Sequence, residues 1–152
     1  MNKKKRNSFL ILSALLLTVL AGCMANQEEQ TDDMGKTKKN NGFSITITEK
    51  ERYKDRDPIE KDPPKDVVKL KMEIKNESNG ERGIGSLDFK AFDKKGEEIP
   101  HYGYADNFGD VVGIGKTLHG SVYFVAKEKG IAKIQYTDPD TAKTTTWNLS
   151  TK

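Results

Sequence analysis

The sequence predicts an all-β protein, an antiparallel sandwich of about seven strands. An N-terminal segment that is not part of the sandwich precedes it. From Phe43 onward, apolar and polar residues alternate in several short segments, as in strands with one buried face. Turn-forming residues separate these segments, and no stretch after residue 42 has a helical hydrophobic period. An open barrel is the second architecture that fits this pattern.

The first 22 residues have the pattern of a bacterial secretory signal peptide. Residues 3–6 are all basic, which keeps this end on the cytoplasmic face of the membrane. The apolar run Phe9–Ala21 comes next. It is shorter than the roughly 20 residues that a membrane-spanning helix needs, and it has the length of a signal-peptide core. We therefore expect residues 1–22 to be removed.

The apolar run ends in Leu20-Ala21-Gly22-Cys23, which resembles the lipobox of bacterial lipoproteins. Small residues before Cys23 suit a cleavage site, and the Cys23 thiol is the atom that would receive diacylglycerol. Cys23 is the only cysteine of the 152 residues, so the chain cannot form an internal disulfide. We expect cleavage between Gly22 and Cys23, and two acyl chains that hold the protein on the extracellular face of a bacterial cell membrane.

The charge balance bears on the partners. The chain has 26 Lys and Arg residues against 23 Asp and Glu, and four of the bases lie in residues 3–6. Without the signal peptide the net charge is close to zero, so nucleic-acid binding loses its main support. The expected partners are the membrane, through the lipid on Cys23, and a protein or another component of the cell envelope.

Residues 23–42 are predicted to be a lipidated cysteine followed by a disordered tether. Apart from Cys23, their only apolar residues are Met24, Ala25 and Met34, too few to bury a core. The folded domain is predicted to span residues 43–152.

The first half of the domain contains four predicted strands. Phe43, Ile45 and Ile47 alternate with polar residues. The charged stretch 50–65 follows, and its three prolines exclude a central strand. The clearest alternation lies in 68–75, where four apolar residues alternate with three lysines and a glutamate. A strand through Leu87, Phe89 and Ala91 and a short edge strand within 97–102 complete this half.

The second half begins with a loop of mixed character, predicted from Gly103 to Lys116. Three more strands follow, and each has an alternating or β-branched pattern. Their inward-facing residues are predicted to be Leu118, Gly120, Val122 and Phe124 in the first, Ile134 and Tyr136 in the second, and Thr145, Trp147 and Leu149 in the third.

Taken in order, these segments resemble the telokin-like, immunoglobulin-like domain of secreted bacterial lipoproteins, found in Gram-positive species. The matching pieces are Val67–Asn76, Leu87–Lys90 with Asp93 and Gly96, Gly115-Lys116, Gly120–Phe124, and Ile134 with Tyr136. The resemblance implies an immunoglobulin-like β-sandwich over residues 43–150. The family is a domain of unknown function without established catalytic residues, so the resemblance implies no chemistry.

Motifs for catalysis or cofactor binding give little support to an enzyme. Gly113–Thr117 ends like a phosphate-binding loop, but Asp110 stands where the motif needs its first glycine. Asp106 and Asp110 offer oxygens for calcium, without the spacing of a known calcium loop. His101 lies near these two aspartates, but the spacing matches no known zinc site. We expect no cofactor and no catalytic residues.

The loop from His101 to Phe108 is the candidate contact surface. His101, Tyr102, Tyr104 and Phe108 stand where polar residues would suffice, and tyrosine is favoured at binding surfaces because it offers a large area with few torsions. The alternative is that these rings cap the open end of the sandwich. The sequence thus predicts a non-enzymatic, membrane-anchored binding or envelope-associated module. A metal-dependent or hydrolytic accessory enzyme of the envelope and an accessory lipoprotein of a transporter are the alternatives.

Overall fold

The computed structural model describes residues 31–151, so the predicted signal peptide and the lipidated Cys23 lie outside the described residues. Its strands are β1 (Thr37–Asn40), β2 (Phe43–Tyr53), β3 (Val67–Asn76), β4 (Arg82–Gly85), β5 (Phe89–Phe92), β6 (Glu98–Ile99), β7 (Gly109–Val112), β8 (Thr117–Phe124), β9 (Lys133–Thr137) and β10 (Thr144–Asn148). Within residues 31–151 the only helical element is a 3₁₀ turn, Ser86–Asp88.

The strands form an antiparallel sandwich, which confirms the predicted fold class. One four-stranded sheet has the order β1-β2-β3-β8, and the second has the order β10-β9-β5-β6. A two-stranded ribbon, β4-β7, lies beside them. The core lies between the two sheets, because the alternation in the sequence turns one apolar face of each sheet inward. Its largest fully buried side chains include Phe43, Phe89, Phe124, Tyr136 and Trp147.

The strand β2 is longer than predicted. It continues through Tyr53 into the charged stretch that we expected to stay out of the sheet. Its two glutamates are tolerated because they lie opposite lysines of β3: Lys71 Nζ is 2.8 Å from Glu49 Oε2. The three prolines of the stretch follow β2 and lie in the connection to β3.

Within the predicted domain, two strands were missed and Leu87 was misplaced. Strands β4 and β7 pair with each other, and β7 lies inside the predicted loop of 103–116. Leu87 was predicted to face inward with Phe89, but its side chain is 79% exposed. The reason is the 3₁₀ turn, which breaks the alternation: the Asp88 carboxylate accepts a hydrogen bond from the Gly85 N–H at 2.8 Å.

The prediction of a tether up to residue 42 is wrong for its last part. Residues 33–40, which we call the strap, lie along the free edge of β10. The Asp33 N–H donates to the Asn148 carbonyl at 2.8 Å, and the Asn148 N–H donates to the Asp33 carboxylate at 3.0 Å. Lys38 Nζ donates to Asp33 Oδ2 and to the Thr146 carbonyl, both at 2.7 Å. These bonds stabilise a segment that has almost no apolar residues, because they satisfy backbone groups that an edge strand leaves open.

Asp33 is the central residue of the strap. Its side chain is buried, and burial by itself raises the pKa of a carboxyl group. Hydrogen bonds from Lys38 and Lys36 outweigh this effect and hold the pKa of Asp33 well below its ordinary value. The carboxylate is therefore charged throughout the physiological range and fixes the point at which the chain enters the domain.

Candidate binding surface

The loop from His101 to Phe108 runs along the free edge of β8 and is held there by backbone hydrogen bonds. The Tyr102 N–H donates to the Tyr123 carbonyl at 2.8 Å, and the Phe108 N–H donates to the Ser121 carbonyl at 3.0 Å. Between these two points the loop leaves the edge, and the Asn107 side chain bridges the gap. Its amide nitrogen donates to the Tyr102 carbonyl at 2.8 Å. Both ends of the loop are thus fixed to β8, and only its middle projects from the sheet edge.

Tyr102 is buried in a small aromatic cluster with Tyr53, Val67 and Tyr123. Its hydroxyl donates to Glu60 Oε2 at 2.5 Å, which ties the connection between β2 and β3 to this cluster. Burial, and then the neighbouring Glu60 carboxylate, raise the pKa of Tyr102 to about 12. This side chain therefore supports the loop and does not offer its ring to a partner.

Phe108 and His101 also point towards the protein. The Phe108 ring packs on the core, with its centroid 5.8 Å from that of Phe89. His101 places its ring 4.6 Å from that of Phe124, and its Nε2 lies 3.1 Å from the Ser86 carbonyl. These two rings, like that of Tyr102, lie as the capping alternative predicts.

Tyr104 is the predicted contact residue that the structure leaves accessible. Its side chain is 51% exposed, and its ring centroid is 6.1 Å from that of Tyr102. Behind Tyr102, the Arg56 guanidinium lies 5.5 Å from the ring centroid and donates to the Pro64 carbonyl. The exposed Tyr104 thus lies on a packed base of Tyr102 and Arg56. Because tyrosine has few torsions to restrict, binding a partner here should cost little side-chain entropy.

An open groove of about 380 Å³ lies on the other side of the same loop. One wall is the segment 106–110, and the other is the outer face of β8 with Lys69 of β3. The groove offers carboxylates from Asp106 and Asp110, the Lys69 ammonium and the His119 imidazole. These groups can hydrogen-bond a polar ligand, and the volume is within the range of small-molecule sites.

The structure brings Asp106 and Asp110, the calcium alternative, to the same groove. Calcium takes six to eight oxygen ligands. In the part of the chain that the structure describes, no group of three or more His, Cys, Asp or Glu side chains is placed to hold a metal ion. Both aspartates are exposed in the groove wall.

Several groove residues were missed in the sequence, among them Lys69, His119 and Ser121. Lys69 and Tyr123 are partners in the β3–β8 register, and Ser121 is two residues away on the same face. Only this register places Lys69 of β3 beside the groove that residues 106–110 border. Alternation marked these residues as outward-facing, but it carried no signal for the groove.

Among residues 31–151, no helix is long and apolar enough to cross a membrane. The fold is similar to solved bacterial structures. The yjhA protein of Bacillus subtilis aligns with a TM-score of 0.64 and 13% identity, over 79% of this chain and all of that one. The ycdA protein of Bacillus subtilis, described as a candidate lipoprotein, aligns with a TM-score of 0.63 and 17% identity, over 79% of this chain but only 39% of its own length.

A third similar structure is the secreted protein MPT63 of Mycobacterium tuberculosis, with a TM-score of 0.55 and 13% identity, over 70% of this chain and 82% of that one. No curated protein sequence is significantly similar to this chain. A family model does match, over residues 33–146, from the start of the strap into β10. The chain therefore belongs to the family described as Domain of unknown function (DUF4352).

Proposed function

We propose that this protein is a non-enzymatic binding module, attached through a lipidated Cys23 to the outer face of a bacterial cell membrane. Its contact with a protein or another envelope component is made by Tyr104 and the adjacent groove. The exposure of Tyr104 on a packed aromatic base is the observation that carries the binding part of this proposal.

Two observations support the anchoring part. The sequence Leu20-Ala21-Gly22-Cys23 resembles a lipobox and follows a signal-peptide-like run. Two proteins of similar fold are described as a candidate lipoprotein and as a secreted protein.

A photo-crosslinking experiment tests the contact. Tyr104 is replaced by photoreactive benzoylphenylalanine in intact cells, and crosslinked products are detected by their shift in mass. The matched control places the same group at Ile114, which is also well exposed but lies in the turn between β7 and β8. We expect a discrete product from position 104 alone. The binding proposal is wrong if the two positions give the same products or if neither gives any.

Labelling with palmitate tests the anchor separately. The wild-type protein should incorporate label and sediment with membranes, and Cys23→Ala should do neither. Continued labelling of Cys23→Ala would contradict lipidation at this residue and would leave the crosslinking result unaffected.

A further inference from the structure

The groove between the segment 106–110 and β8 continues across the outer face of the first sheet. A second depression of about 230 Å³ shares residues 119–121 with it and reaches Thr48 of β2. Since β3 lies between β8 and β2, this extension crosses two strand spacings, or about 10 Å. The groove is therefore elongated as well as open, a shape that suits a chain-like ligand better than a compact one.

The groove presents polar side chains that have no partner among the residues the structure describes. The side chains of Asp106, His119 and Ser121 line it and form neither a hydrogen bond nor an ion pair within residues 31–151. Tyr123 also lines the groove and is only 4% exposed, yet its hydroxyl has no hydrogen-bond partner in this part of the chain. A buried tyrosine usually finds a partner for its hydroxyl, so this one is available to a polar ligand.

The charges of the groove disfavour an anionic ligand. The ammonium nitrogens of Lys69 and Lys71 lie 3.7 and 2.8 Å from glutamate oxygens of β2, so both lysines are already paired. Asp106 and Asp110 have no ion-pair partner within the described residues. A polymer rich in phosphate or carboxylate groups would meet these two carboxylates with like-charge repulsion. The groove therefore favours a ligand that is neutral or carries amino groups.

We infer that the groove binds a neutral or amino-substituted oligosaccharide of the cell envelope. This inference rests on the proposed function and names the envelope component that the groove contacts. Each sugar hydroxyl both donates and accepts, so sugars match carboxylates, which only accept, as well as the His119 imidazole and the hydroxyls of Ser121 and Tyr123. A protein partner would need an apolar anchor, and none of the exposed large apolar side chains of residues 31–151 lines the groove.

Surface plasmon resonance on the full-length lipidated protein tests this inference. The protein is purified from membranes and held on the sensor in phosphatidylcholine liposomes, with protein-free liposomes as the reference. Three tetrasaccharides of different charge are the probes: chitotetraose is neutral, the glucosamine tetrasaccharide is cationic, and tetragalacturonate is anionic. We expect the neutral and cationic probes to bind, and the anionic probe to bind at least about tenfold more weakly than either, because of the like-charge repulsion.

A pair of double variants assigns the charge preference to the groove. Asp106→Asn with Asp110→Asn removes both groove charges and keeps the oxygen that accepts the Val111 N–H. This variant should lose most of the roughly tenfold discrimination against the anionic probe. The matched control is Asp55→Asn with Asp62→Asn, which removes two exposed acids of the connection between β2 and β3. The control should discriminate among the three probes as the wild type does.

Three results would overturn the inference. Binding of none of the three probes, or tightest binding of the anionic probe, means that the groove is not a site for such a saccharide. Equal effects of the two double variants mean that the total charge of the protein, and not the groove, sets the preference. The crosslink from Tyr104 is a separate measurement. A discrete crosslinked protein without saccharide binding would leave the binding module in place and overturn only the ligand assigned to its groove.

Discussion

Arg82 Nη2 lies 2.7 Å from Asp138 Oδ2, and this ion pair joins three turns at one end of the sandwich, 41–42, 77–81 and 138–143. Arg82 begins β4, Asp138 follows β9, and the Asn41 amide between β1 and β2 donates to the other carboxylate oxygen at 2.9 Å. The Asp138 side chain is completely buried, and that of Arg82 is largely so. The pair thus connects the ribbon to both sheets.

The first prediction concerns this pair. Asp138→Ala would leave the Arg82 guanidinium buried without its main partner, and should lower the free energy of unfolding by roughly 3 kcal/mol or more. Asp140 contacts the same guanidinium at 2.8 Å but is mostly exposed, so Asp140→Ala is the matched control with an expected loss below about 1 kcal/mol. Urea denaturation measures both losses, and equal losses would show that Asp138 has no special role.

Acid should destabilise the fold through the same carboxylate. Burial by itself raises the pKa of Asp138, but hydrogen bonds from Arg82, Thr141 and Asn41 outweigh it and lower the pKa from 3.8 to about 2. The folded state then binds the proton less readily than the unfolded state. The stabilisation is complete above about pH 5 and decreases as the pH falls towards 2. Asp33, whose pKa is also lowered, should act in the same direction.

Denaturation in urea between pH 5 and pH 2 measures this dependence. Asp138→Asn removes one of these two buried carboxylates and should show a shallower decline than the wild type. A wild-type stability that does not change over this range would contradict both pKa assignments.

Gly120 is predicted to tolerate no side chain. It lies in β8, and a Cβ at this position would approach Phe108 Cβ to 2.6 Å. Because Phe108 is held between β8 and the Phe89 ring, Gly120→Ala should cost roughly 1–3 kcal/mol in the free energy of unfolding. Gly83 lies in β4 with nothing within 4 Å of an added Cβ, so Gly83→Ala is the control and should change stability little. A neutral Gly120→Ala would show that the loop moves freely.

The strap should contribute measurably to stability. Asp33→Ala would remove the carboxylate that binds Lys36, Lys38 and the Asn148 N–H, and should lower the free energy of unfolding by roughly 2–3 kcal/mol. The neighbouring Asp32 is exposed, and Asp32→Ala should stay within about 0.5 kcal/mol of wild type. If Asp33→Ala is as stable as Asp32→Ala, the domain begins after the strap.

The sheets could be predicted from the sequence because alternation reports burial directly. The prediction was most accurate for β3, where Val68, Leu70, Met72 and Ile74 are all buried as expected. It failed for the strap for two reasons. The Asn41-Gly42 turn that joins β1 to β2 was assigned to the tether, and Asp33 and Lys38 obtain further partners from β10, more than 100 residues away. No local pattern records an interaction of that range.

The candidate surface was predictable only in part. Composition identified the loop of 101–108, and Tyr104 is accessible there as expected. Composition could not separate Tyr104 from Tyr102, since the difference depends on Glu60 and the aromatic cluster beneath the loop. The groove depends on the β3–β8 register, which pairs Lys69 with Tyr123 and is fixed only by the complete fold.

Mass spectrometry of the N-terminal tryptic peptide from the membrane fraction tests the proposed anchoring most directly. Trypsin should release a peptide that begins at Cys23 and ends at Lys36, the first basic residue after the lipobox. We predict that this peptide carries diacylglycerol on the Cys23 sulfur and contains no residue of 1–22. A peptide that still contains Gly22, or one that begins at Cys23 with an unmodified thiol, would contradict the account.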